Sequence, residues 1–139
     1  MTETDEPQWQ PISQLPFIAS AIDEELEGVE EQWQTLQEGR SRPHVFDDAL
    51  VDRIERVFGG MLEDHWLWPE QLRRWSQLRL TAAQKAEIER LKDQTDKLKA
   101  TLELILAFAK EIRPGTIDAV LRKSDLELGL EMLLRGELP

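Results

Sequence analysis

The chain has 139 residues, the usual size of a single domain, and its 28 acidic and 17 basic residues give a net charge of −11 at neutral pH. Residues 1–39 contain ten Asp or Glu and no Lys or Arg, so nearly all of this charge lies in the first quarter of the chain. The distribution disfavours nucleic acid and anionic membranes as partners and favours cations or a basic protein. Because cysteine is absent, disulfides, thiolate metal ligands and a cysteine nucleophile are excluded.

The first eleven residues are polar and include three acids and two prolines. They predict a flexible acidic tail, 1–11, ahead of one helical domain at 12–139. The tail lacks the positive start and apolar run of a secretory signal, and no stretch reaches the roughly 20 apolar residues of a membrane span. We therefore expect a cytoplasmic protein without a membrane partner.

The apolar residues after this tail recur every three or four positions and predict a first helix that ends near Gly39. They are Leu15, Ile18, Ile22, Leu26, Val29, Trp33 and Leu36. Pro43 indicates a loop at 40–46, because the residue before a proline is disfavoured in helical geometry. Asp47 or Asp48 then caps a second helix.

The second helix has an apolar face interrupted by two adjacent glycines. The face consists of Leu50, Ile54, Val57, Met61 and Leu62, widened by Val51 and Phe58. Gly59 and Gly60 predict either a bend or a close approach by another backbone, since glycine is unfavourable inside a helix. Pro69 ends or kinks the helix near Trp68 and starts a short helix through Leu78.

The third helix carries the strongest pattern in the chain. Thr81 and Gln84 form a capping-box pattern at its start, and Pro114–Gly115 ends it, which predicts a helix over 82–113. Its apolar stripe repeats every three or four residues, as in a coiled coil. The stripe consists of Ile88, Leu91, Thr95, Leu98, Leu102, Ile105, Ala109 and Ile112.

Two short helices are predicted after this one. The first spans 116–123, and a second capping-box pattern at Ser124 and Glu127 opens the last, amphipathic helix, which runs toward Gly136. Its apolar residues are Leu126, Leu130, Leu133 and Leu134.

These elements predict an all-α protein, an antiparallel helical bundle of three long helices plus two or three short helices. The connections are short, so consecutive long helices should be antiparallel neighbours. The long apolar stripe of the third helix and the many tryptophans offer more apolar surface than a three-helix monomer covers. We therefore expect a homodimer.

An acidic face on the first helix is the first candidate for binding. Glu24, Glu27 and Glu30 are spaced by three residues, and no Lys or Arg lies four residues away to offset their repulsion. This face predicts a binding surface for a basic protein. The alternative that fits most acidic proteins is a solvated helix face.

Carboxylates at helical spacing also suggest a divalent-metal site. Glu24 and Glu27, together with Asp52 and Glu55 of the second helix, could hold a metal ion for phosphoryl chemistry. Such a site resembles the all-α nucleoside triphosphate pyrophosphatases of the MazG type. That family pairs EExxE with a later ExxD, whereas this chain has Gly28 at the required place and the reversed order in the second helix.

Tryptophans concentrate at the end of the second helix and in the short helix after it. Trp66, Trp68 and Trp75 form an aromatic corner, and tryptophan is enriched where proteins bind one another. A helix can turn only part of this group inward, so at least one indole should lie near the surface. The corner is our second candidate for partner binding; its alternative role is to cap the bundle core.

Neither histidine has the neighbours that catalysis requires. His65 has no second His at helical spacing, and His44 lies in a loop near two aspartates that can cap the next helix. No phosphate-binding loop, nucleophile elbow or zinc spacing occurs. A basic group at 73–92 is expected to pair within the chain or across a dimer rather than bind nucleic acid.

We therefore predict a non-catalytic, cytoplasmic interaction or regulatory module that binds another protein through the acidic helix or the tryptophan corner. We predict no catalytic residue, no cofactor and no bound metal. The alternatives are the metal-dependent phosphohydrolase and an acidic nucleic-acid mimic that occupies the basic site of a DNA-binding protein. The chain carries the complete motif set of no family known to us.

Overall fold

The computed structural model describes residues 7–136, without the side chain of Glu131. Helices make up most of these residues and no strand occurs among them, so the predicted all-α class is confirmed. The α-helices are α1 (Leu15–Glu38), α2 (Asp48–Asp64), α3 (Leu67–Ser76), α4 (Ala82–Ile112) and α5 (Ile117–Leu134). Short 3₁₀ turns precede α1, α2 and α5, at Ile12–Gln14, Pro43–Val45 and Arg113–Gly115.

The central helix is α4, which contacts α1, α2 and α3. Its start forms the predicted capping box: Gln84 donates its backbone N–H to Thr81 Oγ1 at 3.1 Å, and Thr81 donates its own to Gln84 Oε1 at 2.9 Å. Every residue of the predicted stripe from Ile88 to Ile112 is buried. The stripe is therefore covered within one chain, and it gives no reason to expect a second copy.

Helix α1 lies beside α4 and runs in the same direction. In its first half, Asp23 accepts two hydrogen bonds of 2.9 Å from the guanidinium of Arg90. Toward its end, Trp33 packs edge-to-face on Phe108, with ring centroids 5.7 Å apart. The predicted apolar stripe of α1 is confirmed, because all its members are buried except Trp33, which is half-buried.

Helices α2 and α3 form the return limb of the bundle. Arg113, just after α4, pairs with Asp52 and Glu55 in the first half of α2, at 2.8 and 3.1 Å. Trp75 of α3 packs with Ile88, near the start of α4. These contacts are consistent with the predicted antiparallel order of α1, the α2–α3 limb and α4.

The junction of α2 and α3 differs slightly from the prediction. α2 ends at Asp64 rather than near Trp68, and α3 begins at Leu67 rather than at Pro69. Pro69 is therefore the third residue of α3. Its missing N–H is tolerated there because backbone donors in the first turn of a helix have no partner within the helix.

The two glycines of α2 have no close neighbour. The helix continues through Gly59 and Gly60, and nothing lies within 4 Å of the position that a Cβ would take at either residue. The alternative of a close backbone approach is therefore wrong. Part of the predicted apolar face of α2 also stays exposed, namely 40% of Leu50 and 43% of Val57.

Helix α5 is continuous, so the predicted break before its second half is wrong. Ser124 lies inside the helix, and the capping box with Glu127 does not begin a new one. The physical reason is that no Gly or Pro occurs between Thr116 and Gly129 to interrupt the helix, so the pattern marks no boundary. The C-terminal part of the fold is one 18-residue helix instead of two short ones.

The start of α5 is fixed to the start of α2. Ile117 donates its backbone N–H to the carbonyl of Phe46 at 2.9 Å. Thr116 is fully buried and donates its hydroxyl to Asp48 Oδ1 at 2.8 Å, while the N–H of Asp48 binds Asp118 Oδ2 at 2.7 Å. Arg122 also donates to Asp48 Oδ2 at 3.0 Å. The hydrogen bonds from Thr116 and Arg122 keep the pKa of Asp48 below its usual value.

Part of the predicted tail contacts α3. Gln10 accepts hydrogen bonds at its carbonyl from Trp75 Nε1 and Gln71 Nε2, at 2.9 and 3.3 Å. Trp9 lies against the guanidinium of Arg74, 4.2 Å from the ring centroid. Residues 1–6 lie outside the described part of the chain, so the flexible tail stays a prediction. Within residues 7–136, no helix has both the length and the hydropathy to cross a lipid bilayer.

Candidate partner-binding surface

The acidic face consists of Glu24, Glu27 and Glu30 on α1. All three side chains are exposed, and none of them forms an ion pair with any residue at 7–136. They lie away from the buried stripe of the helix, as their spacing predicts. The face is therefore an uncompensated row of negative charge on the surface.

The other carboxylates in the middle of α1 have structural roles. Asp23 pairs with Arg90 of α4, and the hydrogen bonds from this guanidinium keep the pKa of Asp23 below its usual value. Glu25 accepts a hydrogen bond of 3.1 Å from the indole Nε1 of Trp68. These two residues attach α1 to α4 and α3, whereas the three glutamates of the acidic face keep their carboxylates available to a partner.

A groove lies between α1 and α4 beside this face. It encloses about 720 Å³ and is open to solvent. Its apolar surface comes from Trp33 and from Leu104, which is 49% exposed, while Glu30 and Glu38 contribute carboxylates. The acidic face therefore continues into a cleft that offers both negative charge and apolar contact.

An arginine of the chain already lies on the aromatic surface near this groove. The guanidinium of Arg40 is 5.8 Å from the centroid of the Trp33 ring and 5.3 Å from that of Phe108. Arg40 also forms a long ion pair of 3.7 Å with Glu111. The contact is of the cation–π type, in which a positive group is attracted to the negative face of an aromatic ring.

The tryptophan corner is used mostly inside the fold. Trp75 is 1% exposed and bonded to Gln10, and Trp68 is half-buried between the two parts of the core. Trp66 is 51% exposed and packs edge-to-face with Trp9 at 6.1 Å. One indole therefore lies near the surface, as predicted, and Trp75 offers no surface to a partner in this conformation.

The basic residues at 73–92 pair largely within the chain. Glu70 accepts hydrogen bonds from Arg73 and Arg74, and the Arg73 bonds are the main reason why the pKa of Glu70 falls to about 2. Arg90 binds Asp23 as described, and Lys92 pairs with Glu89 at 3.0 Å. This agrees with the expectation of pairing within the protein.

The four carboxylates of the metal alternative are not brought together. Asp52 and Glu55 pair with Arg113 at the end of the bundle where α4 stops. Glu25, next to Glu24, instead contacts Trp68 at the start of α3, near the other end of α2. Within residues 7–136, no group of three or more His, Asp or Glu side chains is placed to hold a metal ion.

His65 lies at the junction of α2 and α3 and is 7% exposed. It lines a cavity of about 250 Å³ together with Glu25, Asp64 and Trp68, and its Nδ1 has no hydrogen-bond partner among the described residues. Burial keeps its pKa below the usual 6.5, and the nearby Lys99 lowers it further. The imidazole is therefore neutral in the folded protein at neutral pH.

This burial makes stability depend on pH. In the unfolded chain His65 takes up a proton more readily than in the folded one. The contribution of the neutral His65 to the free energy of unfolding is therefore fully present above about pH 6.5, and it is lost as the pH falls toward the lower folded-state pKa. We expect His65→Leu to reduce the fall in melting temperature between about pH 7.5 and 5. Thermal unfolding followed by circular dichroism measures it. His44→Gln is the control, and an equal fall in the wild type and His65→Leu would contradict the assignment.

The sequence did not indicate the groove between α1 and α4. Trp33 was assigned to the core stripe of α1, and Leu104 lies outside the repeat of α4. The one available signal was Leu104 itself, an apolar residue off the buried stripe. No known protein family matches the chain, and neither a curated protein nor a solved structure matches it.

Proposed function

We propose that this chain is a non-catalytic, cytoplasmic interaction or regulatory module that binds a basic, amphipathic segment of another protein. The segment lies along the acidic face of α1 and enters the groove between α1 and α4. The observation that carries the proposal is the position of Glu30, which belongs to the acidic face and also lines the groove beside Trp33 and Leu104. An acidic nucleic-acid mimic is the narrower form, in which the segment belongs to a DNA-binding protein.

The chemistry of the partner follows from what the surface offers. Unpaired carboxylates attract Lys and Arg, and they raise the association rate of a positively charged partner. The apolar surface of Trp33 and Leu104 favours aliphatic or aromatic side chains on the same segment. The contact of Arg40 with Trp33 is an example, within this chain, of how a guanidinium binds there.

The acidic face is favoured over the tryptophan corner because of exposure. Trp75 is buried and most of Trp68 is covered by the fold, while the exposed Trp66 is already packed against Trp9. The carboxylates of Glu24, Glu27 and Glu30 form no ion pair with any residue in the described range. The corner therefore contributes mainly to the attachment of α3 and the N-terminal segment.

A synthetic amphipathic peptide of about 18 residues, with Lys on one face and Leu on the other, tests the proposal. We expect it to bind the full chain, with an affinity that falls about tenfold between about 50 and 300 mM NaCl, because salt screens exposed charges. Glu30→Gln combined with Glu38→Gln should weaken binding about threefold to tenfold at low salt. Fluorescence anisotropy of a labelled peptide measures both effects.

The matched control is Glu63→Gln, which removes an exposed carboxylate of α2 away from the groove. It changes the net charge by one without touching the proposed surface. The single variant Glu30→Gln is its comparison. If Glu63→Gln weakened peptide binding as much as Glu30→Gln does, binding would reflect net charge alone and the proposed site would be wrong. Failure of the peptide to bind at low salt would reject the proposal altogether.

A further inference from the structure

The second half of α5 carries a row of exposed leucines. Leu126, Leu130, Leu133 and Leu134 are 75%, 59%, 64% and 78% exposed. They follow one another at helical spacing and form one stripe, which we call the leucine stripe. Such a contiguous apolar surface is unusual on a protein that stays alone in water.

No element within residues 7–136 covers this stripe. The start of α5 is fixed to Phe46 and Asp48, and Arg122 adds an ion pair of 3.0 Å to Asp48. Beyond Arg122 the helix continues without a break to Leu134, about 18 Å further along its axis. Its main contacts are with α2 and with the 3₁₀ turns at Pro43–Val45 and Arg113–Gly115. The described part of the chain therefore leaves the stripe available to another molecule.

The same chain contains an open apolar groove of matching character. Helices α1 and α2 each pack mainly against α4, and between them lies a groove of about 400 Å³. Leu36, Leu50 and Val57 line it, and the exposed parts of Leu50 and Val57 face no core residue. A fourth helix in this groove would contact both α1 and α2, as in a four-helix bundle.

The area of the donated helix is large enough for a reciprocal exchange between two copies. A stable interface buries roughly 1,200 Å² in total, which is about 300 Å² on each of the four surfaces of such an exchange. Four leucines at the observed exposures provide an apolar area of that order, on the order of 300 Å². Because the exchange is twofold, each chain gives one helix and receives one.

Charges agree as well. Arg53 lines the groove and Arg56 follows it on α2, and neither forms an ion pair within residues 7–136. Asp125 and Glu127 lie beside the leucine stripe on α5 and are likewise unpaired in the described chain. A lipid surface is the poorer occupant, because the net charge of −11 is repelled by anionic membranes.

We propose that two copies of this chain exchange their α5 helices, with the leucine stripe of each copy seated in the α1–α2 groove of the other. The exchange completes a four-helix arrangement in both copies. It uses the side of α1 opposite the groove that contains Trp33, so it stands independently of peptide binding at the acidic face.

Mass measurement of the full chain by light scattering or sedimentation is the first test. We expect a dimer of the 16.2 kDa chain at about 100 μM. Leu130→Asp and Val57→Asp should each raise the dissociation constant at least about tenfold. Both residues are substantially exposed, so the monomer keeps its helical content, which circular dichroism checks. Phe17→Asp, at a residue 69% exposed on α1, is the matched control and should remain dimeric.

Engineered cysteines can show where α5 of one copy binds the other copy, because the natural chain contains no cysteine. Mixing Val57→Cys with Leu130→Cys under mild oxidation should give a disulfide-linked dimer of the two variants. A wild-type monomer at about 100 μM, or a dimer that both aspartate variants leave intact, would overturn the proposal. So would a disulfide within one chain in the double variant, cross-linking of Leu130→Cys only with itself, or a monomer whose α5 binds neutral lipid vesicles.

Discussion

Replacing Phe108 with alanine is expected to lower the free energy of unfolding by about 3–5 kcal/mol, the usual cost of truncating a buried aromatic side chain. Phe108 is 1% exposed and lies where three elements meet. Its ring packs edge-to-face on Trp33 and on Phe46, with centroids 5.7 and 5.9 Å apart. The truncation leaves a cavity between α1, α4 and the loop before α2. Urea denaturation followed by circular dichroism measures the loss.

Phe17→Ala is the control for this experiment, because Phe17 is 69% exposed on the surface of α1. It should change the free energy of unfolding by less than about 0.5 kcal/mol, as surface substitutions usually do. A loss below about 1 kcal/mol for Phe108→Ala would mean that the ring is not a central packing element. The packing of α1 on α4 would then be wrong.

Replacing Gly39 with alanine is expected to destabilise the protein by about 1–3 kcal/mol, the usual cost of overpacking a core. Gly39 follows α1, and its backbone lies against the Phe46 ring. A Cβ at this position would meet Phe46 Cζ at 2.5 Å and Cε2 at 2.6 Å. Since the φ of Gly39 is −88°, alanine can adopt its backbone conformation, and the cost arises from the ring alone.

Gly59→Ala is the matched comparison for Gly39→Ala and should change the free energy of unfolding in the opposite direction. Nothing lies within 4 Å of a Cβ at Gly59, so the substitution adds helix propensity without a clash. We expect α2 to be stabilised by about 1 kcal/mol, the difference between Gly and Ala inside a helix. Denaturant unfolding of both variants gives the comparison. If both substitutions changed the free energy of unfolding in the same direction, the position of the Phe46 ring against Gly39 would be wrong.

The helices that the sequence predicted best are those with both a periodic stripe and a capping pattern. α4 is predicted to within one residue because Thr81 and Gln84 start it and Pro114 ends it. The capping-box pattern at Ser124 misled the prediction of α5, because nothing before Ser124 interrupts the helix. A capping pattern is therefore a boundary only where the preceding residues leave the helical conformation.

The sequence predicts the acidic face but not the groove beside it, and the reason is physical. The exposure of Glu24, Glu27 and Glu30 follows from their spacing within a single helix. The groove beside them depends on which residues of α1 and α4 face each other, and local sequence does not determine that register. The burial of Trp75 has the same origin, since it follows from the packing of α3 and Gln10 on α4.

The position of Arg40 sets a condition on anything that binds the α1–α4 groove. Its guanidinium contacts Trp33, which lines this groove, so it would compete with the proposed partner for that ring at an effective concentration on the order of millimolar, as a ligand on a short linker does. A single free cation would therefore compete poorly with Arg40 for the Trp33 ring. Only a polyvalent chain, which engages several carboxylates at once, gains enough avidity to displace it. Under the proposed function, the surface would therefore respond to positive charges joined in one molecule rather than to separate cations in solution.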